Sequence, residues 1–390
     1  MFLKKFTHIC VAVLLAGFAQ EIHAQTTTVF TEGLNAPQKI IHVQRQEIFL
    51  VSEAGNPAIP NNGRVSLVTR NGSRFTVIDG LPSGAAAPNA DPSGPSAIAV
   101  VGNKLYIAIG VGNATIAGPA PGSELPNPNL NSPIFSTVLE LRLPPFGLFL
   151  HQLNYHLTTA DHARLANGQT ILLGHPLRRG RLRVVADFPD FTPAPRPGFP
   201  DLVRNSNPFG LVVTGGTLYV ADASQNMIRT ADLDDGEIGT LITYPSRPNP
   251  NFPMGPPFID PVPDSLRLFN NKLLVTFLTG FPFPDGVADV RQYDLESGVE
   301  SQLIGGLRSA IDVLPVDEGG FCSTAYTLEF SANMLMGAPG RLQRFDTPAG
   351  PPTLISDSLI SPTSMARDPH SGDLFVTEIF TGRIMRISLP

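Results

Sequence analysis

The chain has 390 residues, of which 15% are charged, a formal net charge of −6, 39 prolines and 36 glycines. Nearly one residue in five is a turn-former, which excludes long helices as the main architecture and predicts short strands joined by tight turns. The mildly acidic balance, with one basic cluster at Arg178-Arg179-Gly180-Arg181-Leu182-Arg183, excludes nucleic acid as the principal partner, because phosphate binding needs a broad basic face.

The first element in chain order reads as a secretory signal over residues 1–24. Lys4 and Lys5 supply the positive start, Ile9 to Phe18 an apolar run of about ten residues, and Ile22-His23-Ala24 a small-residue exit, with cleavage expected near Ala24-Gln25. The run falls short of the roughly 20 residues that span a bilayer, and no later stretch is longer, so no membrane span is expected. The expected location is secreted or periplasmic. Cys10 sits inside the run, which argues against a lipid anchor. Cys322 is then the only thiol of the mature chain, which rules out an intramolecular disulfide.

From there the chain repeats. A Pro-x-small-aliphatic signature recurs as Pro37-Gln-Lys-Ile40, Pro95-Ser-Ala-Ile98, Pro208-Phe-Gly-Leu211, Pro263-Asp-Ser-Leu266 and Pro362-Thr-Ser-Met365. Arg308-Ser-Ala-Ile311 reads as a sixth copy without the proline, and the first copy has Lys39 at the small position. After each signature and a turn comes an apolar second strand, at 48–53, 105–109, 218–222, 273–277, 321–325 and 374–378. Third strands alternate with period two, as in Val290-Arg-Gln-Tyr-Asp294, and fourth strands close five of the units. The last unit lacks a fourth strand, whereas Thr27 to Leu34 has that pattern and precedes the first signature. These features predict an all-β, six-bladed β-propeller of four-stranded blades, with the ring closed by the N-terminal strand pairing into the last blade. Residues 25–390 form a single domain in this reading.

The 113 residues between Pro95 and Pro208 exceed the spacing of about 50 seen elsewhere, so 144–206 reads as an insertion in the second blade around one outer strand. A seventh, degenerate blade there is the alternative. Thr158 to Asn167 is the one helix-like stretch.

At Asn207-Pro-Phe-Gly-Leu-Val-Val213 with Thr217-Leu-Tyr-Val-Ala-Asp-Ala223, and at Leu278-Thr-Gly-Phe-Pro-Phe-Pro284, the sequence resembles the ScyD/ScyE family, encoded with the genes for the sunscreen pigment scytonemin. The resemblance implies an exported NHL-like propeller with no assigned chemistry, acting as a ligand- or protein-binding or scaffold module. Residues 144 to 182 do not follow the family's pattern.

The fold class is shared by gluconolactonase and strictosidine-synthase-like propellers, so a metal-dependent hydrolase is the alternative function. The lactonase type holds a divalent cation, such as calcium, with oxygen ligands entering from the innermost strands. The positions where those ligands would stand are Gln38, Ser96, Phe209, Asp264, Ser309 and Thr363, which provide one carboxylate. Glu53, Asp222 and Glu378 end second strands at equivalent positions and are expected either to gather a ligand or to bond turn amides. His151, His156, His162 and His175 cluster in the insertion as weak metal candidates, without the spacing of a compact zinc motif. Phe281 and Phe283, with Phe252 to Phe258 before them, form a proline-stiffened aromatic rim suited to a small molecule or protein partner.

Overall fold

A computed structural model describes residues 25–44, 46–144, 151–316 and 324–389. The expected signal segment and Cys322 lie outside the described residues. Almost every regular element is a strand, and six antiparallel sheets carry the bulk of the chain.

Sheet 1 holds Pro37–Val43, Ile48–Glu53, Gly63–Thr69 and Arg74–Leu81, and sheet 2 holds Pro95–Val101, Lys104–Ile109, Thr137–Arg142 and Gly180–Asp187. Sheets 3 and 4 run from Pro208–Thr214 to Ile238–Thr243 and from Pro263–Phe269 to Glu300–Leu307. Sheet 5 holds Ala310–Val316, Thr324–Glu329, Gly340–Phe345 and Thr353–Leu359. Sheet 6 holds Pro362–Arg367, Leu374–Glu378 and Arg383–Ser388, and its fourth strand is Thr26–Thr31, antiparallel to Arg383–Ser388. The first strands of successive sheets touch one another, and the first strand of sheet 6 touches that of sheet 1.

Second strands such as Ile48–Glu53 and Leu374–Glu378 are buried throughout, which accounts for their unbroken apolar runs: each is covered on both faces. Every first strand breaks register just after its opening residue, at Gln38, Ser96, Phe209, Asp264, Ile311 and Thr363. A bulge leaves its extra residue outside the ladder and turns that side chain away from the sheet face. In four sheets the residue before the opening one has a positive φ: Ala36 (52°), Val262 (54°), Ser309 (43°) and Ser361 (46°).

These markers correct the expected alignment of the fifth unit. Ser309 is the counterpart of Ala36 and Ser361, so the signature there is Ala310-Ile311-Asp312-Val313, shifted by two residues from the Arg308–Ile311 expectation. Its second strand is Thr324–Glu329 rather than 321–325. The register rests on the pairing of Ala310 with Glu329, which matches Pro37 with Glu53 and Pro362 with Glu378.

At four of the six junctions, neighbouring sheets are joined by buried hydroxyls that donate to carbonyls across the gap. Ser52 Oγ donates to Ser96 O at 3.1 Å, Ser96 Oγ to Pro208 O at 2.6 Å, Thr276 Oγ1 to Ile311 O at 3.3 Å and Thr363 Oγ1 to Pro37 O at 3.0 Å. Between sheets 3 and 4 the contact is made by Gly210, where a Cβ would meet the Asp264 carbonyl and lie 2.7 Å from Leu266 N. Only a residue without a side chain permits that approach.

Two sheets exceed the expected four strands. Tyr155–His156 adds in parallel to the edge of sheet 1, and Ile171–Leu173 adds to sheet 2, so the insertion spans both. Its helix, Thr159–Ala166, starts at a Thr158/Asp161 capping box and ends at Asn167. Leu157, Leu165 and Tyr155 pack with Ile78 and Leu81. A further small sheet, not read from the sequence, joins Thr115–Ala117, Glu124–Pro126, Val203–Asn205 and Phe191–Pro193 in that order. Among the described residues no helix is long and apolar enough to cross a membrane.

Candidate functional site

The bulged residues of the six first strands have a common destination. Gln38, Ser96, Phe209, Asp264, Ile311 and Thr363 all line one cavity of about 750 Å³, within the range that holds a small organic molecule. The small extra sheet supplies a polar wall through Glu124 and Asn205, and Phe330 and Phe380, which follow the second strands of sheets 5 and 6, complete an apolar wall with Phe209.

Asp264 is 3% exposed, and its Oδ2 has no hydrogen-bond partner. Burial alone pushes its carboxyl well above the usual carboxylate range, favouring the protonated acid. Glu124 is also pushed up, chiefly by burial, although Asn205 Nδ2 donates to its two oxygens at 2.9 and 2.7 Å. That geometry fixes the Asn205 amide and leaves its Oδ1 unpartnered, as is Gln38 Oε1.

One residue further along the same strands, the centre is filled by charge. Asp312, fully buried, lies 3.3 Å from Lys39 Nζ and 2.5 Å from an Arg267 guanidinium nitrogen. Ser265 Oγ, Ser364 Oγ and Met365 N donate to it at 2.6, 2.9 and 3.0 Å. Burial opposes its ionisation, but the Arg267 and Lys39 charges and these hydrogen bonds hold the carboxyl well below its ordinary range. Burial, helped by Arg267 and opposed by Asp312, pulls the Lys39 ammonium down to about 8. Sequence reasoning missed this cluster because the fifth unit was misaligned. The acid ending Thr324–Glu329, like those ending the second strands of sheets 1, 3 and 6, was the available signal.

That acid, Glu329, joins Glu53, Asp222 and Glu378 as a repeated structural position. All four are buried, and each accepts from a backbone amide ahead of its own first strand, Glu53 from Asn35 N, Asp222 from Asn207 N, Glu329 from Arg308 N and Glu378 from Ile360 N, at 2.5 to 2.9 Å. Arg64, Arg229 and Arg341 pair with Glu53, Asp222 and Glu329, and Thr381 Oγ1 donates to Glu378. Their bonds hold the junctions between units, and none of the four lines the cavity.

The histidines do not converge on one point. His156 meets Asp79 at 2.6 Å, His162 is buried with Nε2 2.8 Å from Gly80 O, and His175 Nδ1 accepts from Leu177 N as a turn cap. His151 stacks edge-on against Phe75. Burial lowers the His162 pKa and favours its neutral form. Phe281 is half exposed and meets Phe283 edge-to-face at 6.2 Å. A Cβ on Gly255 would lie 3.0 Å from the Phe281 ring, so the 252–258 and 281–284 loops touch. Neither Phe281 nor Phe283 lines the cavity.

A divalent cation of the lactonase type does not fit this donor set. Calcium takes about six to eight oxygen ligands, carboxylates among them. Here Phe209 and Ile311 occupy two of the six inner positions, and Asp264 is the one carboxyl among the six.

No family model matches the chain, and no curated protein matches it. In structure it is similar to a gluconolactonase from Xanthomonas campestris, at 9% identity and a TM-score of 0.48 over 93% of this chain and 89% of that one. It is also similar to the soluble aldose sugar dehydrogenase of Escherichia coli, at 10% identity and a TM-score of 0.47 over 93% and 99%. A chain of a nidogen/laminin complex has 10% identity and a TM-score of 0.42 over 88% and 98%. At these values the likenesses decide nothing about chemistry.

Proposed function

We propose that the chain is an exported, six-bladed β-propeller of ScyD/ScyE type that binds a small organic molecule in its central cavity. The ring reading is supported by the six sheets, the contacts between successive first strands and the pairing of Thr26–Thr31 with Arg383–Ser388. The binding reading rests on Asp264. A buried carboxyl with an unpartnered oxygen costs a fold about 1–3 kcal/mol, and such a group in a cavity is a mark of a functional site.

The test is native mass spectrometry of the mature protein and of Asp264→Leu against a collection of small metabolites. The expected result is at least one compound retained by the wild type and lost from the variant. A variant that retains every compound the wild type holds would sink the reading.

Hydrolysis of a lactone or ester is the second reading, and the same residue favours it, since a protonated buried carboxyl is the form a general acid takes. Turnover of glucono-δ-lactone or 4-nitrophenyl acetate, abolished in Asp264→Asn, would select it over simple binding. The mismatch of the donor set leaves this reading without a metal step.

A further inference from the structure

The cavity has a chemical bias. Three of its hydroxyls spend their protons on backbone carbonyls: Ser96 on Pro208, Thr363 on Pro37, and Ser123 on Ala120 at 2.6 Å. Three oxygens from its lining side chains stand buried without a donor: Gln38 Oε1, Asn205 Oδ1 and Asp264 Oδ2. Of the ionisable side chains lining it, Asp260 is paired with Arg204 at 3.2 Å, which leaves Arg196 against Asp91, Glu124 and Asp264. Phe209, Phe330 and Phe380 add faces that attract cations. An acceptor-rich, acidic and aromatic cavity is complementary to a ligand that brings N–H donors and positive charge.

On the reading that this cavity binds a small molecule, we propose that its ligand is an organic amine cation, with the ammonium directed at Asp264 and the apolar body against the phenylalanines. Binding such a cation turns the Asp264 acid into a carboxylate and passes its proton to the buffer. A neutral polyol leaves that proton in place.

The experiment titrates the full mature chain with four probes, 2-phenylethylamine, 2-phenylethanol, phenylacetate and glucose, by calorimetry in two buffers of different ionisation enthalpy. The amine is expected to bind at least about tenfold more tightly than the alcohol, the acid or the sugar and to release a proton. Asp264→Asn is expected to remove the proton release and about tenfold of the amine's affinity, and to weaken the alcohol by less. Preference for the alcohol, phenylacetate or glucose overturns the amine assignment and leaves the small-molecule cavity standing. Amine binding without proton release, or binding indifferent to Asp264→Asn, overturns it as well. Failure of all four probes also overturns it, while the cavity itself is judged by the metabolite search.

Discussion

Replacing Asp264 with asparagine removes a titrating group and keeps its shape, so its effect on stability isolates the consequence of burying that carboxyl. In the unfolded chain an aspartate titrates near about 3.9, whereas burial raises the folded value well above that. Between the two values the unfolded chain gives up a proton that the folded chain keeps. Stability is therefore lost as pH rises, at about 1.4 kcal/mol per pH unit. With the usual unfolding entropy per residue, a chain of this length loses about 2 °C of Tm per unit. In scanning calorimetry at half-unit steps from pH 4.5 to 7, the Tm of Asp264→Asn minus that of the wild type should climb at that rate. It should level off once the folded pKa is passed. Taking the difference cancels every group common to both proteins. A flat difference across the range would refute the reasoning, since the carboxyl would then ionise as readily inside the fold as outside it.

Asp312→Ala leaves Lys39 and Arg267 as uncompensated charges at the centre and should cost about 3–5 kcal/mol in urea unfolding. The triple change Lys39→Met, Arg267→Met and Asp312→Leu, which removes all three charges, should recover most of that loss. The wild-type advantage over Asp312→Asn should be present above about pH 4 and shrink below it, because the folded pKa is depressed; urea midpoints at pH 3 and 6 would show it. Gly210→Ala places a methyl against the sheet 4 backbone and should cost about 1–3 kcal/mol, read in the same assay. Deleting Thr26–Thr31 should bare the edge of Arg383–Ser388, lower the Tm and promote self-association, detectable by sedimentation.

Much of the fold was legible because the repeat combines three independent cues: a proline that opens the first strand, a small residue that faces the centre, and an apolar second strand. The helix was legible from Thr158 and Asp161, which set its start. The fifth unit failed because alanine replaces the opening proline and an aspartate takes the small position. In hindsight the two departures from the pattern, Lys39 and Asp312, are partners across the centre, and a pairing between sheets 1 and 5 has no signature in linear sequence. Asp264 was singled out as the one inner carboxylate. Its unpartnered oxygen was beyond reach, as were those of Gln38 and Asn205, because the wall that encloses them comes from three-residue strands whose prolines and asparagines read as loop.

The pairing of Thr26 with Ser388 joins residues more than 350 apart. During vectorial synthesis the earliest strand has no partner until nearly the whole chain has emerged, so sheet 6 is the last to assemble. Closing so long a loop slows folding far more than it weakens the product. Once made, that one sheet fastens both ends of the described chain, and fraying from either end must break the same hydrogen bonds. Loss of the fold from either end must first open that sheet, which favours slow unfolding.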